Sequence, residues 1–266
     1  MDVGVSGAVH GAPARLLDLS GKNAVVTGGS RGVGRATAEL LARAGAGVGI
    51  SFRARTHEAN AVVAGLAGIG ARAWCEQGDL GRAADARRLF ERADREFDGL
   101  DIVVGNAGIW LPEDVAIADM DDARWRETVA ANLDSIFHTC REAASRLRPG
   151  GALVLVSSTA GQRGEAFHAD YAATKGAIIA LVKGLCVELA PRGVTVNCVA
   201  PGWVDTEMAE PAFGDGGRER IARAIPLGRI ATAADVAGPI VFLCTPLARH
   251  ITGEVLNVNG GSVLAG

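Results

Sequence analysis

Short, almost unbroken apolar runs recur along the chain at Asn23–Thr27, Val48–Phe52, Ala71–Cys75, Ile102–Val104, Ala152–Val156, Val194–Val199 and Val255–Val258. Continuous apolar runs of this length read as strands buried on both faces, whereas a strand with one wet face would alternate. Between most of them lie stretches with helical spacing of apolar residues: Arg31–Ala44, His57–Leu66, Arg82–Phe97, Asp121–Leu147, Ala169–Leu189 and Ala233–Leu243. Strand and helix in alternation predict an α/β fold, a parallel sheet of about seven strands with helices on both faces. Right-handed crossovers make such a sheet doubly wound.

Neither a repeat nor a linker divides the chain, so a single domain over 18–266 is expected, preceded by a flexible tail over 1–17 that is rich in Gly and Ala. The least regular stretch is Gly202–Pro226, with Gly214, Gly216 and Gly217; it reads as a substrate lid over about 203–226 or as a surface loop.

Composition narrows the function classes. The chain has 266 residues, 48% of them hydrophobic, enough for a sizeable core. A net charge of -3 and the lack of a dense basic run argue against a nucleic-acid binder. Cys75, Cys140, Cys186, Cys198 and Cys244 are odd in number and show no metal-ligand spacing. They read as buried thiols in a reducing compartment, with no metal site. No apolar run approaches a membrane span and no signal peptide is legible, so a cytoplasmic protein with no membrane partner is expected.

The candidate chemistry sits between Ser157 and Lys175. Tyr171 is the only tyrosine, and Lys175 is one of three lysines among 27 basic residues. On one helix their i, i+4 spacing puts both on the same face. Tyrosine has an ordinary pKa of about 10, a neighbouring ammonium lowers it, and a general acid works best near the working pH. Ser158, at the end of the preceding strand, is placed to hydrogen-bond a substrate oxygen. The same spacing also suits a surface tyrosine and a solvated lysine on an amphipathic helix.

A second motif follows the first strand: Thr27-Gly28-Gly29-Ser30-Arg31-Gly32-Val33-Gly34 opens the first helix. Glycines allow a tight turn and close approach of a pyrophosphate, and the helix N-terminus offers unpaired N–H groups to it.

In order along the chain come Thr27, Gly28, Gly32 and Gly34, then Asn106-Ala107-Gly108, Asn132, Ser158, Tyr171, Lys175, Pro201-Gly202 and the closing Gly253–Gly261 run. With these motifs the chain resembles the short-chain dehydrogenase/reductase family over about residues 18–264. The resemblance implies a Rossmann fold and a nicotinamide-dependent oxidoreductase. In it, Tyr171 is the proton donor in reduction, Lys175 holds the nicotinamide ribose and favours ionisation of Tyr171, and Ser158 steadies the substrate carbonyl. Asn132 either helps hold a relay water or satisfies backbone groups at an irregular helical turn. Thr27, Gly28, Ser30, Arg31, Gly32, Val33 and Gly34 cradle the cofactor, with Asn106, Ala107 and Gly108 as the wall behind it, unless that turn is purely structural. Asp79 and Leu80 lie near the adenine, unless Asp79 caps the following helix. Pro201, Gly202 and Val204 also contact the cofactor, and Thr206 touches its carboxamide region, unless Thr206 is a helix cap.

The second strand ends in Phe52 followed by Arg53, where an acidic residue would bond the adenosine ribose 2′-hydroxyl and repel a 2′-phosphate. Together with Arg31 and Arg55, Arg53 favours a 2′-phosphate and hence NADPH/NADP+, the alternative being a solvated arginine cluster. NADPH in turn suggests reduction of a ketone to a secondary alcohol. Trp110, Gln162, Phe167, His168 and Trp203 are the candidate substrate-pocket residues by family position, with Met208 and Phe213 on the lid, the alternative for any of them being a core or surface position.

The branch most resembled is the 3-oxoacyl-acyl-carrier-protein reductases, in which Arg192 matches a basic position that faces the acidic carrier. Against that branch, Pro149 takes the partner basic position, and Glu165–Asp170 departs from the usual sequence before the tyrosine. A ketoreductase of secondary metabolism, acting for example on an acylated butyrolactone or a polyketide, is the alternative substrate reading. A non-catalytic NADP(H)-binding regulator is the reading from another class. The family also implies a homodimer or homotetramer built through the long helices.

Overall fold

The computed structural model describes residues 17–264, so most of the expected tail lies outside the described residues. Seven strands form one parallel sheet: β1 (Asn23–Val26), β2 (Gly47–Phe52), β3 (Ala73–Gln77), β4 (Leu100–Gly105), β5 (Leu147–Val156), β6 (Thr195–Pro201) and, last in the sheet, a strand at Val255–Val258. Their spatial order is β3-β2-β1-β4-β5-β6 followed by Val255–Val258.

The apolar runs are continuous because each face of the sheet has its own core. Side chains alternate along a strand. Ala24, Val26, Ile102, Val104, Ala152 and Val154 point to one face. There they meet α1 (Gly32–Arg43), α2 (Thr56–Gly68) and a helix at Ala233–Leu243, through residues such as Leu41, Val62 and Ile240. Val25, Val103, Leu153 and Leu155 point to the other. They meet α3 (Ala83–Glu96), a helix at Ser135–Arg146 and a helix at Ala169–Leu189, through Phe90, Ile136 and Ile178.

The expected long helix Asp121–Leu147 is realised as α4 (Asp122–Val129), a π-helical turn at Ala130–Asp134 and α5 (Ser135–Arg146). Asp121 caps its start by accepting from the Arg124 amide at 2.8 Å. Then come α6 (Thr159–Arg163) and α7 (Ala169–Leu189). The stretch Gly202–Pro226 is more regular than its glycines suggest. It holds β7 (Val204–Asp205), a 3-10 turn at Glu210–Phe213 and α8 (Gly217–Ala224). β7 pairs in parallel with β8 (Ala231–Thr232), which leads into α9 (Ala233–Leu243) and finally β9 (Val255–Val258).

Arg192 departs from the expectation of a docking cation. Its guanidinium turns inward and donates to the carbonyls of Ala144 and Leu147, so it closes the end of α5. Helix-terminal carbonyls are otherwise unpaired acceptors, and a basic side chain satisfies them well.

The sheet order reverses between β1 and β4, which opens a crevice beyond the carboxyl ends of these strands. The sequence motifs leave the sheet into that crevice: Thr27–Gly34 from β1, Asn106–Gly108 from β4 and Ser157–Ser158 from β5.

Candidate active site

The glycine turn is held by geometry that only glycine supplies. Gly28 has φ +66°, and a Cβ on Gly34 would stand 2.2 Å from the Gly28 carbonyl oxygen. The turn is stitched to the loop after β4: Thr27 Oγ1 accepts from the amides of Asn106 at 2.9 Å and Ala107 at 3.0 Å, and Asn106 Nδ2 donates to the Thr27 carbonyl at 3.0 Å.

From this turn a cleft of about 370 Å³ runs to the tyrosine helix. Every residue assigned to the cofactor from the sequence lines it except Thr27 and Gly34. At one end stand Arg31, Arg53 and Arg55; at the other stand Ser158, Tyr171, Lys175, Trp110 and Trp203. Thr206 sits against the turn, 3.4 Å from where a Cβ of Gly32 would lie. Asp79 accepts from the Gly81 amide at 3.1 Å in the turn that enters α3.

Tyr171 and Lys175 both lie on α7, with Lys175 Nζ 5.6 Å from the Tyr171 ring centre. Lys175 is buried and donates to the Val156 carbonyl at 3.0 Å. Desolvation brings its pKa down to about 8. Tyr171 keeps part of its surface open to the cleft, yet desolvation pushes its phenol up to about 12; a hydrogen bond with Ser158 works against this and the charge of Glu165 adds to it. Burial thus opposes the lowering that the sequence leads one to expect from Lys175. The two adjacent serines are separated by role. Ser157 Oγ donates to the Lys175 carbonyl at 2.7 Å and ties β5 to α7, which leaves Ser158 to face Tyr171.

Asn132 lies in the π turn, fully buried, with its carboxamide on Ile109: Oδ1 accepts from the Ile109 amide at 2.7 Å and Nδ2 donates to the Ile109 carbonyl at 2.9 Å. π turns inside α-helices often mark functional sites. Here the turn places the side chain that fixes the loop carrying Trp110.

Three of the five substrate candidates lie away from the cleft wall. Gln162 Nε2 donates to Asn257 Oδ1 at 2.6 Å. Phe167 is exposed, with φ +65°. His168 is buried and stacks on Trp110 at 4.9 Å, so it props the aromatic wall from behind. Trp110 and Trp203 do line the cleft and meet edge to face at 5.9 Å. The sequence reading did not assign Arg163, Glu165 and Glu207, which also line it. Glu207 contacts residues far away in the chain, so no local spacing could point to it.

Residues 28–262 match the family model described as enoyl-(acyl carrier protein) reductase. The chain belongs to the short-chain dehydrogenase/reductase family. Among its relatives, the 3-oxoacyl-(acyl-carrier-protein) reductase of Staphylococcus aureus is 34% identical over 242 residues, 90% of this chain and 97% of that protein. A short-chain dehydrogenase of Burkholderia cenocepacia, solved in complex with NADP, is 37% identical with a TM-score of 0.87, covering 92% of this chain and 98% of that one. LugOII, a promiscuous reductase that catalyses keto-reduction at C1 during lugdunomycin biosynthesis, is 34% identical with a TM-score of 0.85, covering 92% of this chain and 99% of that one.

The residues of this short-chain dehydrogenase/reductase fit a dinucleotide on structural grounds. The glycine turn leaves the first-turn N–H groups of α1 open to a phosphate. Arg31 and Arg55 already converge on one anionic oxygen, that of Glu207, at 2.7 and 2.8 Å. Among the described residues, no group of three or more His, Cys, Asp or Glu side chains is arranged to hold a metal ion. No helix among them is long and apolar enough to cross a membrane.

Proposed function

We propose that the protein reduces a hydrophobic ketone to a secondary alcohol with NADPH, with Tyr171 as the proton donor. The observation that carries this reading is the meeting of Ser158, Tyr171 and Lys175 at one end of a cleft whose other end is a glycine turn flanked by arginines. NADPH, when bound, supplies the hydride. The protein's own residues orient the ketone and move the proton. Ser158 and Tyr171 converge on a single carbonyl oxygen, so the donors are in place before charge develops there. The Tyr171 Oη–H bond breaks toward that oxygen, and the ammonium of Lys175 on the same helix face stabilises the resulting phenolate. Asn132 is a positioning residue, since it holds the Ile109–Trp110 wall through the backbone.

The aromatic wall of Trp110 and Trp203, with Phe213 6.2 Å from Trp203, suits an apolar ketone. The inward-turned Arg192 favours a free tailoring substrate over one delivered by an acidic carrier. Assembly through α4, α5 and α7 is part of this reading, supported by exposed Phe137 on α5 and Val187 on α7.

The test is NADPH oxidation followed by absorbance, with a 3-oxoacyl thioester and an acylated butyrolactone ketone in parallel. Turnover of either ketone is expected, with the free lactone preferred. Preference for the thioester, strengthened by carrier protein, would move the assignment to chain reduction. NADPH binding with no turnover across a ketone panel would support the regulator instead.

A further inference from the structure

Three guanidiniums stand at the arginine end of the cleft, and two of them share one partner. Glu207 Oε2 lies 2.7 Å from Arg31 Nη1 and 2.8 Å from Arg55 Nη2. Arg31 belongs to the glycine turn before α1, Arg55 to the N-terminus of α2, and Glu207 to the segment after β7. Three distant parts of the chain thus meet on one carboxylate oxygen. Arg53, beside them in the cleft, makes no ion pair among the described residues. Phe52 ends β2 without a carboxylate, and Glu207 brings one to the same end of the cleft from the far side of the fold.

All three paired side chains are half-exposed. Exposed ion pairs contribute little to stability, so structural support does not account for them. Their position is more informative. Two arginines converging on one anionic oxygen form the donor arrangement that a phosphate monoester would take. A dianionic phosphate beside an ionised Glu207 would suffer like-charge repulsion, and both would compete for the same N–H groups.

We propose that Glu207 is a counter-anion that the cofactor's 2′-phosphate displaces from Arg31 and Arg55, so that this residue sets the strength of the preference for the phosphorylated cofactor. The proposal rests on the NADPH reading above. It also accounts for two arginines held in a phosphate-ready geometry with their charge balanced by the chain itself.

The test is calorimetric titration of the full chain and of Glu207→Gln with adenosine 2′,5′-bisphosphate and with 5′-AMP, then with NADPH and NADH. The wild-type chain is expected to favour the bisphosphate over AMP. In Glu207→Gln, affinity for the bisphosphate and for NADPH should rise about tenfold, while AMP and NADH stay within about twofold. Unchanged bisphosphate affinity would overturn the proposal. So would a loss, which would make Glu207 a brace that holds the arginines in place, and so would an equal change for all four ligands. If the wild-type chain binds AMP and the bisphosphate equally, the NADPH reading itself fails, a result distinct from any seen in the variant.

Discussion

Asn132 holds Ile109 by both of its backbone polar groups, at 2.7 and 2.9 Å, across the gap between the π turn and the loop after β4. The loop carries Trp110, which lines the cleft and rests on His168. A buried amide and carbonyl that lose their partners each cost about 1–3 kcal/mol.

Asn132→Ala should therefore lower stability by about 2 kcal/mol or more and loosen the Trp110 wall. The measurements are denaturant unfolding and steady-state kinetics. A fall in ketone turnover with NADPH affinity nearly retained is expected, because the arginines and the glycine turn are untouched. Equal loss of both would contradict the positioning role.

Tyr171 is the single tyrosine of the chain, so the ultraviolet absorbance of tyrosinate reports on it alone. The free protein should ionise it near pH 12, well above the ordinary value of about 10. Ser158→Ala removes the hydrogen bond that lowers this pKa and should move the midpoint further up. A midpoint at or below the ordinary value would contradict the burial seen around the ring.

The start of α9 carries a reciprocal cap: Thr232 Oγ1 accepts from the Asp235 amide at 3.2 Å, and Asp235 Oδ2 accepts from the Thr232 amide at 2.8 Å. The Arg229 guanidinium, first, and then Thr232 hold the Asp235 carboxyl well below the usual carboxylate range. A carboxyl with a depressed folded pKa stabilises the fold above its unfolded value, about 4, and the effect fades as pH falls below that. Asp235→Ala should cost about 1 kcal/mol at neutral pH, or about 2–4 °C in melting temperature. The gap between variant and wild type should narrow in melts run below pH 4. A gap independent of pH would mean that the carboxylate is not the source.

Much of this was legible in the sequence. The seven strands showed because buried strands stay apolar on both faces, and Val25 and Val26 serve two different cores. The ends of the cleft showed because the glycine turn and the Tyr171–Lys175 pair are local patterns. What could not be read depends on contacts across the fold. An irregular turn at Asn132 was open from the resemblance, but its π form and its partner Ile109 leave no trace in spacing, since helix flanks it on both sides. His168 and Gln162 sit in the chain near Tyr171, yet their partners, Trp110 and Asn257, draw them off the cleft wall. Arg192 matched a basic position by sequence, and only the fold shows its guanidinium turned onto the end of α5. At Tyr171 proximity to Lys175 is visible in sequence, and the desolvation that pushes the phenol up is not.

The central claim is that Tyr171 donates the proton, and Tyr171→Phe tests it most directly. The variant removes one oxygen and keeps the ring that packs at the cleft. With the ketone that the wild-type chain reduces best, single-turnover NADPH oxidation should fall by at least about a hundredfold, the scale of a lost general acid. NADPH affinity, measured by titration, should stay within about threefold, since the variant leaves the arginines and Lys175 in place. Turnover at the wild-type rate would contradict the account and move the proton donor elsewhere in the cleft.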